Sequence, residues 1–251
     1  GSIMPLVSIS FLLITILLML FYALRYGLIL IARLNELIFP IILVTFILIV
    51  LMLLPNIKWD FLVPLTYRDI LPVLRGGIAS VGILSSFTFL FIFGDSINNK
   101  EKTGKLGFQT ALFLFCVLTI LLAWTIGTLS HTVTEKTLLP FLTSVKQISL
   151  FNVLEKIEPV VVSLWVMSDF VLISFFILAT FRIIKHLFKN NNSQSLISIS
   201  MVFFYFLTLS LVSSTFEIEN LSSKVILPVN IILGIILPVI MFIIGKLRRK
   251  I

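Results

Sequence analysis

Near the middle of the apolar run EPVVVSLWVMSDFVLISFFILATF stands one carboxylate, Asp169. An ionisable side chain at bilayer depth is costly, so it usually faces a polar interior and marks a ligand or ion site. At about 100° per residue, Glu158, Trp165 and Asp169 fall within about 20° of one line on a helix. Asp169 then lies about 16 Å along the axis from Glu158, near the membrane centre if Glu158 sits at the surface. A carboxylate suits an amine, and an indole suits an apolar or cationic group. The stripe would therefore take a zwitterionic or cationic small molecule. Ser168 adds a hydroxyl beside Asp169. The alternative is that Asp169 pairs with a basic residue or a backbone amide of a neighbouring helix. Glu158 followed by Pro159 also reads as a helix start, with proline in the first turn.

A second chemical feature lies in LPVLRGGIASVGILSSFTFLFIFGD. Gly76, Gly77 and Gly82 precede the pair Ser85 and Ser86, then a short apolar half opens with Phe87 and Thr88. Glycine costs about 1 kcal/mol in a helix interior. In a bilayer a broken helix is tolerated only where it is buried in protein or lines a cavity. Half-helix ends and freed backbone groups of this kind make midplane substrate sites. Gly76 and Gly77 read as close-packing positions, whereas Gly82 to Ser86 read as a break. The ligand-facing set is Gly82, Ser85, Ser86, Phe87 and Thr88 on this stretch, with Trp165, Ser168 and Asp169 on the other.

A third cluster is RYGLILIARLNELIFP, where Arg25, Arg33 and Glu36 precede Pro40. Arg33 and Glu36, three residues apart, suit a surface ion pair on a helical turn. Such a pair contributes little. The functional alternative, shared with Glu158, is a gate or a contact for a partner protein. No catalytic centre is expected: metalloprotease, phosphate-loop and dinucleotide motifs are all missing. His131 and His186 sit at or beyond span ends. The single Cys116 excludes an internal disulfide and a cysteine metal cluster. Neither a metal nor a cofactor is implied.

These residues need a membrane bundle to position them. Hydrophobic residues make up 59% of the 251 and charged ones 12%, far below the roughly 25% of soluble domains. The chain is thus an all-α integral membrane protein, its surface facing lipid. The net charge of +8 comes from Lys and Arg in short loops, a mark of topology and not of nucleic-acid binding. A span needs about 20 apolar residues, and seven are expected, over 5–24, 37–54, 72–93, 106–130, 158–184, 196–215 and 225–245. Lys246, Arg248, Arg249 and Lys250, with Arg182, Lys185 and Lys189, put the C-terminus and the loop after the fifth span on the cytoplasmic side. The loop with Lys100, Lys102 and Lys105 falls there too, and the loop at 216–224, with Glu217 and Glu219, falls outside. Residues 131–157 form a long outer segment. An outside N-terminus and a start that need not be the biological one make the bundle an N-terminally incomplete one.

Three segments carry a resemblance: RYGLILIARLNELIFPI, LLPNIKWDFLVPL and, above all, ISLFNVLEKIEPVVVSLWVMSDFVLISFF. In order and spacing they resemble the B subunit of bacterial spore germinant receptors, a spore germination permease family similar to amino-acid permeases of the APC superfamily. The resemblance implies a LeuT-like bundle of two inverted repeats. The seven spans would be helices four to ten of ten, the interrupted span helix six and the Asp169 span helix eight. Residues 131–157 would then be the extracellular cap. It further implies a sensor in the inner membrane of the spore, which binds an amino acid or similar germinant and signals to the receptor's A and C subunits. A secondary active transporter of amino acids or polyamines, and a scaffold subunit that binds no ligand, are the alternative readings.

Overall fold

A computed structural model describes residues 9–63, 70–97, 100–147, 157–188, 193–211 and 221–248. The described residues are helical, with no strand among them. The loop bearing Glu217 and Glu219, the start of the first expected span, residues 148–156 of the resembling segment, Lys189, Arg249 and Lys250 lie outside the described residues.

The helices follow the apolar runs. They are α1 (Ile9–Tyr26), α2 (Leu28–Leu53), α3 (Ile70–Leu84), α4 (Thr103–Leu129), the short α5 (His131–Lys136) and α6 (Pro140–Val145), α7 (Glu158–Phe188) and α8 (Ser193–Leu211). A last helical run holds two π-turns, Ser222–Ile226 and Ile232–Ile236, around α9 (Leu227–Ile231) and α10 (Leu237–Leu247). Five stretches are long and apolar enough to cross a membrane: 28–56, 76–96, 103–129, 158–188 and 224–247. Phe11–Tyr26 and Ile197–Ser210 are shorter apolar helices. Leu112, Phe115, Phe203 and Phe242 are exposed along these rods, as a surface solvated by acyl chains requires.

Helix α2 begins at Leu28, well before the expected start at residue 37. The charges of Arg33 and Glu36 mark an exposed face of a helix, not a loop. The interruption comes one residue earlier, where Gly27 takes a left-handed φ of 73° and its N–H caps Leu24 at 3.2 Å. A left-handed residue after a helix end is the ordinary glycine terminator. Among the described residues the ion pairs are Lys146–Glu158 and Arg182–Asp95. The expected Arg33–Glu36 pair is therefore not formed. The basic residue precedes the acidic one, the weaker order for a helical pair.

The chain divides into two compact units. One comprises 1–27, 67–97 and 176–251. Within it α1 packs on α8, burying Leu20, Ala23 and Leu24 and, from α8, Ile197 and Met201. The end of α3 and its extension pack against the last helix through glycine. A Cβ on Gly234 would stand 2.5 Å from the Ser85 carbonyl oxygen, and one on Gly82 would stand 2.5 Å from Leu227 Cδ1. Small residues permit this approach, which is how helices associate where lipid offers no hydrophobic drive. Gly76 and Gly77, read from sequence as close-packing positions, meet nothing within 4 Å among the described residues. At one end of this unit Arg182 donates to Asp95 at 3.0 Å and covers the Phe93 ring at 5.2 Å. The 3₁₀ stretch after α3 and the end of α7 thus meet at one end of this unit.

The other unit comprises 28–66 and 98–175. Its core joins Ile49 and Leu53 of α2 to Val145 of α6, with Trp124, Phe141 and Val161 around them. Helix ends leave carbonyls without intrahelical donors, and here side chains and a returning backbone supply them. Trp124 Nε1 donates to the Val50 carbonyl at 2.8 Å. The Lys58 N–H donates to the Gly127 carbonyl at 2.9 Å. Gly127 allows that crossing, since a Cβ there would lie 3.0 Å from Ile57 Cγ2.

Two consequences are measurable in detergent by thermal unfolding. Gly234→Ala forces a methyl into the Ser85 backbone and costs about 1–3 kcal/mol, while Gly76→Ala, which meets open space, gains up to about 1 kcal/mol of helix propensity. Opposite shifts in midpoint are expected, and equal ones would refute the glycine contact. Trp124→Phe keeps an aromatic ring but removes the pyrrole part of the indole and with it the donor to the Val50 carbonyl. It is expected to lower stability by about 1–3 kcal/mol.

Candidate functional site

The α-helical stretch of the third span ends at Leu84, and Ser85–Ser96 continue as a 3₁₀ helix with a kink at Phe93 (φ −102°, ψ 17°). The chain changes helix type at the serine pair and does not unwind there. A 3₁₀ helix stacks every third residue, so Ser85 and Thr88 line up along one edge, below Gly82. That edge meets the last helix at its second π-turn. The Ser85 hydroxyl lies 2.6 Å from the Gly82 carbonyl and 2.8 Å from that of Asn230. The Thr88 hydroxyl bonds to the Ser85 carbonyl and, at 3.0 Å, to the Gly234 carbonyl. Ser85 is 8% exposed. Ser86 is half-buried and Phe87 exposed. The two hydroxyls thus hold one helix to the backbone of another, inserted beside a π-turn where the ordinary ladder is already disturbed.

The other three expected ligand residues belong to the second unit. Asp169 lies on the exposed surface of α7, and no ion pair or hydrogen bond joins it to any described residue. Trp165 and Ser168 line a cavity of about 400 Å³ bounded by α2, α4, α6 and α7. At the head of α7, Glu158 accepts a bond from Lys146 Nζ at 3.1 Å, tying the segment after α6 to the helix start. Arg33 and Glu36 stay exposed on α2. The eight expected ligand residues therefore form two groups, Gly82 to Thr88 in one unit and Trp165 to Asp169 in the other.

Sequence reasoning missed Thr45, which faces the same cavity from α2, and the acceptors Asn230 and Gly234. Thr45 had a readable signal, being the one hydroxyl in the apolar run of α2, LILIARLNELIFPIILVTFILIVLML. Backbone carbonyls give none, because their role depends on which helix lies opposite. No group of three or more His, Cys, Asp or Glu that could hold a metal occurs among the described residues.

Chemically, the arrangement offers a lone carboxylate on an apolar helix, a hydroxyl-bearing cavity and a hydroxyl-tied helix contact. None of these resembles a nucleophile with its base. In comparison with known proteins, a family model described as spore germination protein matches residues 2–216. Neither curated proteins nor solved structures yield a match. With that match spanning most of its length and five helices able to cross a bilayer, the chain belongs to the spore germination protein family as an integral membrane member.

Proposed function

We propose that the protein is the germinant-sensing membrane subunit of a spore nutrient receptor, binding an amino acid or a similarly small nutrient at mid-membrane. The observation that carries the reading is Asp169, a carboxylate in the middle of a 31-residue apolar helix with no protein partner among the described residues. In lipid such a group is costly and marks a ligand or ion path, and the amine of a nutrient would be a fitting partner for it. Membership of the germination family supports a sensor over a soluble binding function.

The proposed frame is the LeuT-like one, with these spans as the last seven of ten, the C-terminus cytoplasmic and the protein in the inner spore membrane beside A and C subunits. In this frame the expected ligand residues are Gly82, Ser85, Ser86, Phe87 and Thr88 in one unit and Trp165, Ser168 and Asp169 in the other. Arg33, Glu36 and Glu158 lie at the ends of spans, where a gate or a partner would engage.

A ligand switches a protein only through different affinities for two states. Here the difference has a physical source. A ligand group that takes the Ser85 or Thr88 hydroxyl competes with the carbonyls of Asn230 and Gly234, so binding loosens the grip on the last helix. That helix carries Lys246 and Arg248 at its end, where a partner would read the movement.

The test uses the natural full-length protein in nanodiscs and in proteoliposomes with a panel of radiolabelled amino acids. Saturable binding without uptake is expected. Asp169→Asn should weaken binding of the amine-bearing ligand about tenfold or more, from loss of a charge-assisted bond. Uptake abolished by the same substitution would replace the sensor with a transporter. Binding unaffected by it would remove Asp169 from the site.

A further inference from the structure

Serine and threonine inside these helices nearly always satisfy themselves. Thr15, Thr119, Ser163, Ser174, Thr180 and Thr208 each donate to the carbonyl four residues earlier, at 2.7 to 2.9 Å. Every fully buried side-chain nitrogen and oxygen among the described residues has a partner. Thr45 in the middle of α2 and Ser168 in the middle of α7 break the pattern: neither hydroxyl bonds to any described residue. Both open onto the same cavity, and so does Trp165, whose indole N–H likewise has no described partner.

The rest of that wall is aliphatic and aromatic, with Ile42, Ile49, Phe141 and Leu164 among its residues, and no charged side chain lines it. Its volume of about 400 Å³ lies within the usual range of small-molecule sites, roughly 300–1,000 Å³. The hollow is open on one side, with Trp165 44% exposed and Ser168 exposed. A mostly apolar hollow with a few convergent polar groups is how ligand pockets are built. The comparable hollow in the other unit, about 480 Å³ between α3 and the last helix, has no polar side chain on its wall. Volume alone therefore does not single out the first cavity; three accessible polar groups without a partner among the described residues do.

We propose that the α2–α4–α6–α7 cavity is a binding site for an uncharged, mainly apolar small molecule carrying a hydroxyl or carbonyl, held by Thr45, Ser168 and the Trp165 indole. The site shares Trp165 and Ser168 with the germinant reading, but Thr45 and the absence of a charged wall residue set it apart. A zwitterion requires charged partners, which this wall lacks, and Asp169 is not among its residues. An uncharged ring or short chain fills the apolar volume while its single polar group takes bonds from Thr45 and Ser168. Membrane-soluble molecules reach such a site through the lipid. Because α6 lies in the segment following α5 and is tied through Lys146 to the head of α7, occupancy would stiffen the junction of these two elements.

The test is photolabelling of the natural full-length protein in nanodiscs with a trifluoromethyl-diazirine benzyl alcohol, alongside the matching benzoate and benzylamine. Saturable labelling of residues 42–49 and 161–168 by the alcohol is expected, with at least tenfold weaker labelling by the two charged probes. Thr45→Val with Ser168→Ala keeps the cavity's shape and should weaken the alcohol about tenfold, and Thr45→Ser, which restores a hydroxyl, should recover part of it. Thr45→Val alone, at a residue the amino-acid site does not use, should weaken alcohol labelling while amino-acid binding stays unchanged, which separates the two sites whichever of them fails. Linear labelling spread over exposed Phe115 and Phe203 would mean partition into lipid and would overturn the proposal. Equal labelling by charged and neutral probes, or saturable labelling of the same residues by a photoreactive phospholipid chain that the alcohol fails to displace, would overturn it as well.

Discussion

In hydrocarbon there is no water to take up a carbonyl or an N–H, and an unmatched group costs several kcal/mol. The described structure is organised around that debt. Carbonyls at the end of α2 and α4 are met by the Trp124 indole and the Lys58 amide. Beside the π-turn of the last helix they are met by the hydroxyls of Ser85 and Thr88. Most remaining serine and threonine side chains turn back onto their own helix. Packing follows from these bonds: Gly127 and Gly234 lack side chains at the points where a donor's backbone must come within reach.

The same constraint sets the grade of each contact. Arg182 with Asp95 and Lys146 with Glu158 lie at helix ends, and the Asp95 side chain is 89% exposed. Screened and solvated pairs of this kind contribute little, so their role is to align segments. The hydroxyl and indole bonds are deeper, and losing one leaves a buried acceptor with nothing to replace it. Within each unit the stabilising weight therefore falls on neutral donors.

Part of this architecture was legible because a spanning helix announces itself by a long apolar run: the described residues of the expected runs are helical except Ser130, and five stretches are long and apolar enough to cross a membrane. The start of α2 was misplaced since Arg33 and Glu36 look like loop residues when burial is unknown, although a helix at a membrane boundary carries charges freely on an exposed face. The change of helix type at Ser85 was foreshadowed by Gly82 and the paired serines. What those serines do was not, because the Asn230 and Gly234 carbonyls are defined only once the last helix is in place. Thr45 could be picked out as the one hydroxyl in the α2 run, but most hydroxyls in such a run bond to their own backbone, and that this one does not is read only from coordinates.

This accounting also separates two kinds of polar residue that sequence treats alike. Ser85 and Thr88 are engaged, so any ligand using them must break a contact between helices. Thr45 and Ser168 are idle, so a ligand using them breaks nothing and gains its bonds in full. Preorganised, unengaged groups favour binding, whereas engaged ones favour coupling. Asp169 differs from both, since its charge and not its hydrogen-bonding capacity is what lipid penalises. The proposed receptor would need the engaged kind at its trigger, and at the head of the 3₁₀ stretch Ser85 and Thr88 are of that kind.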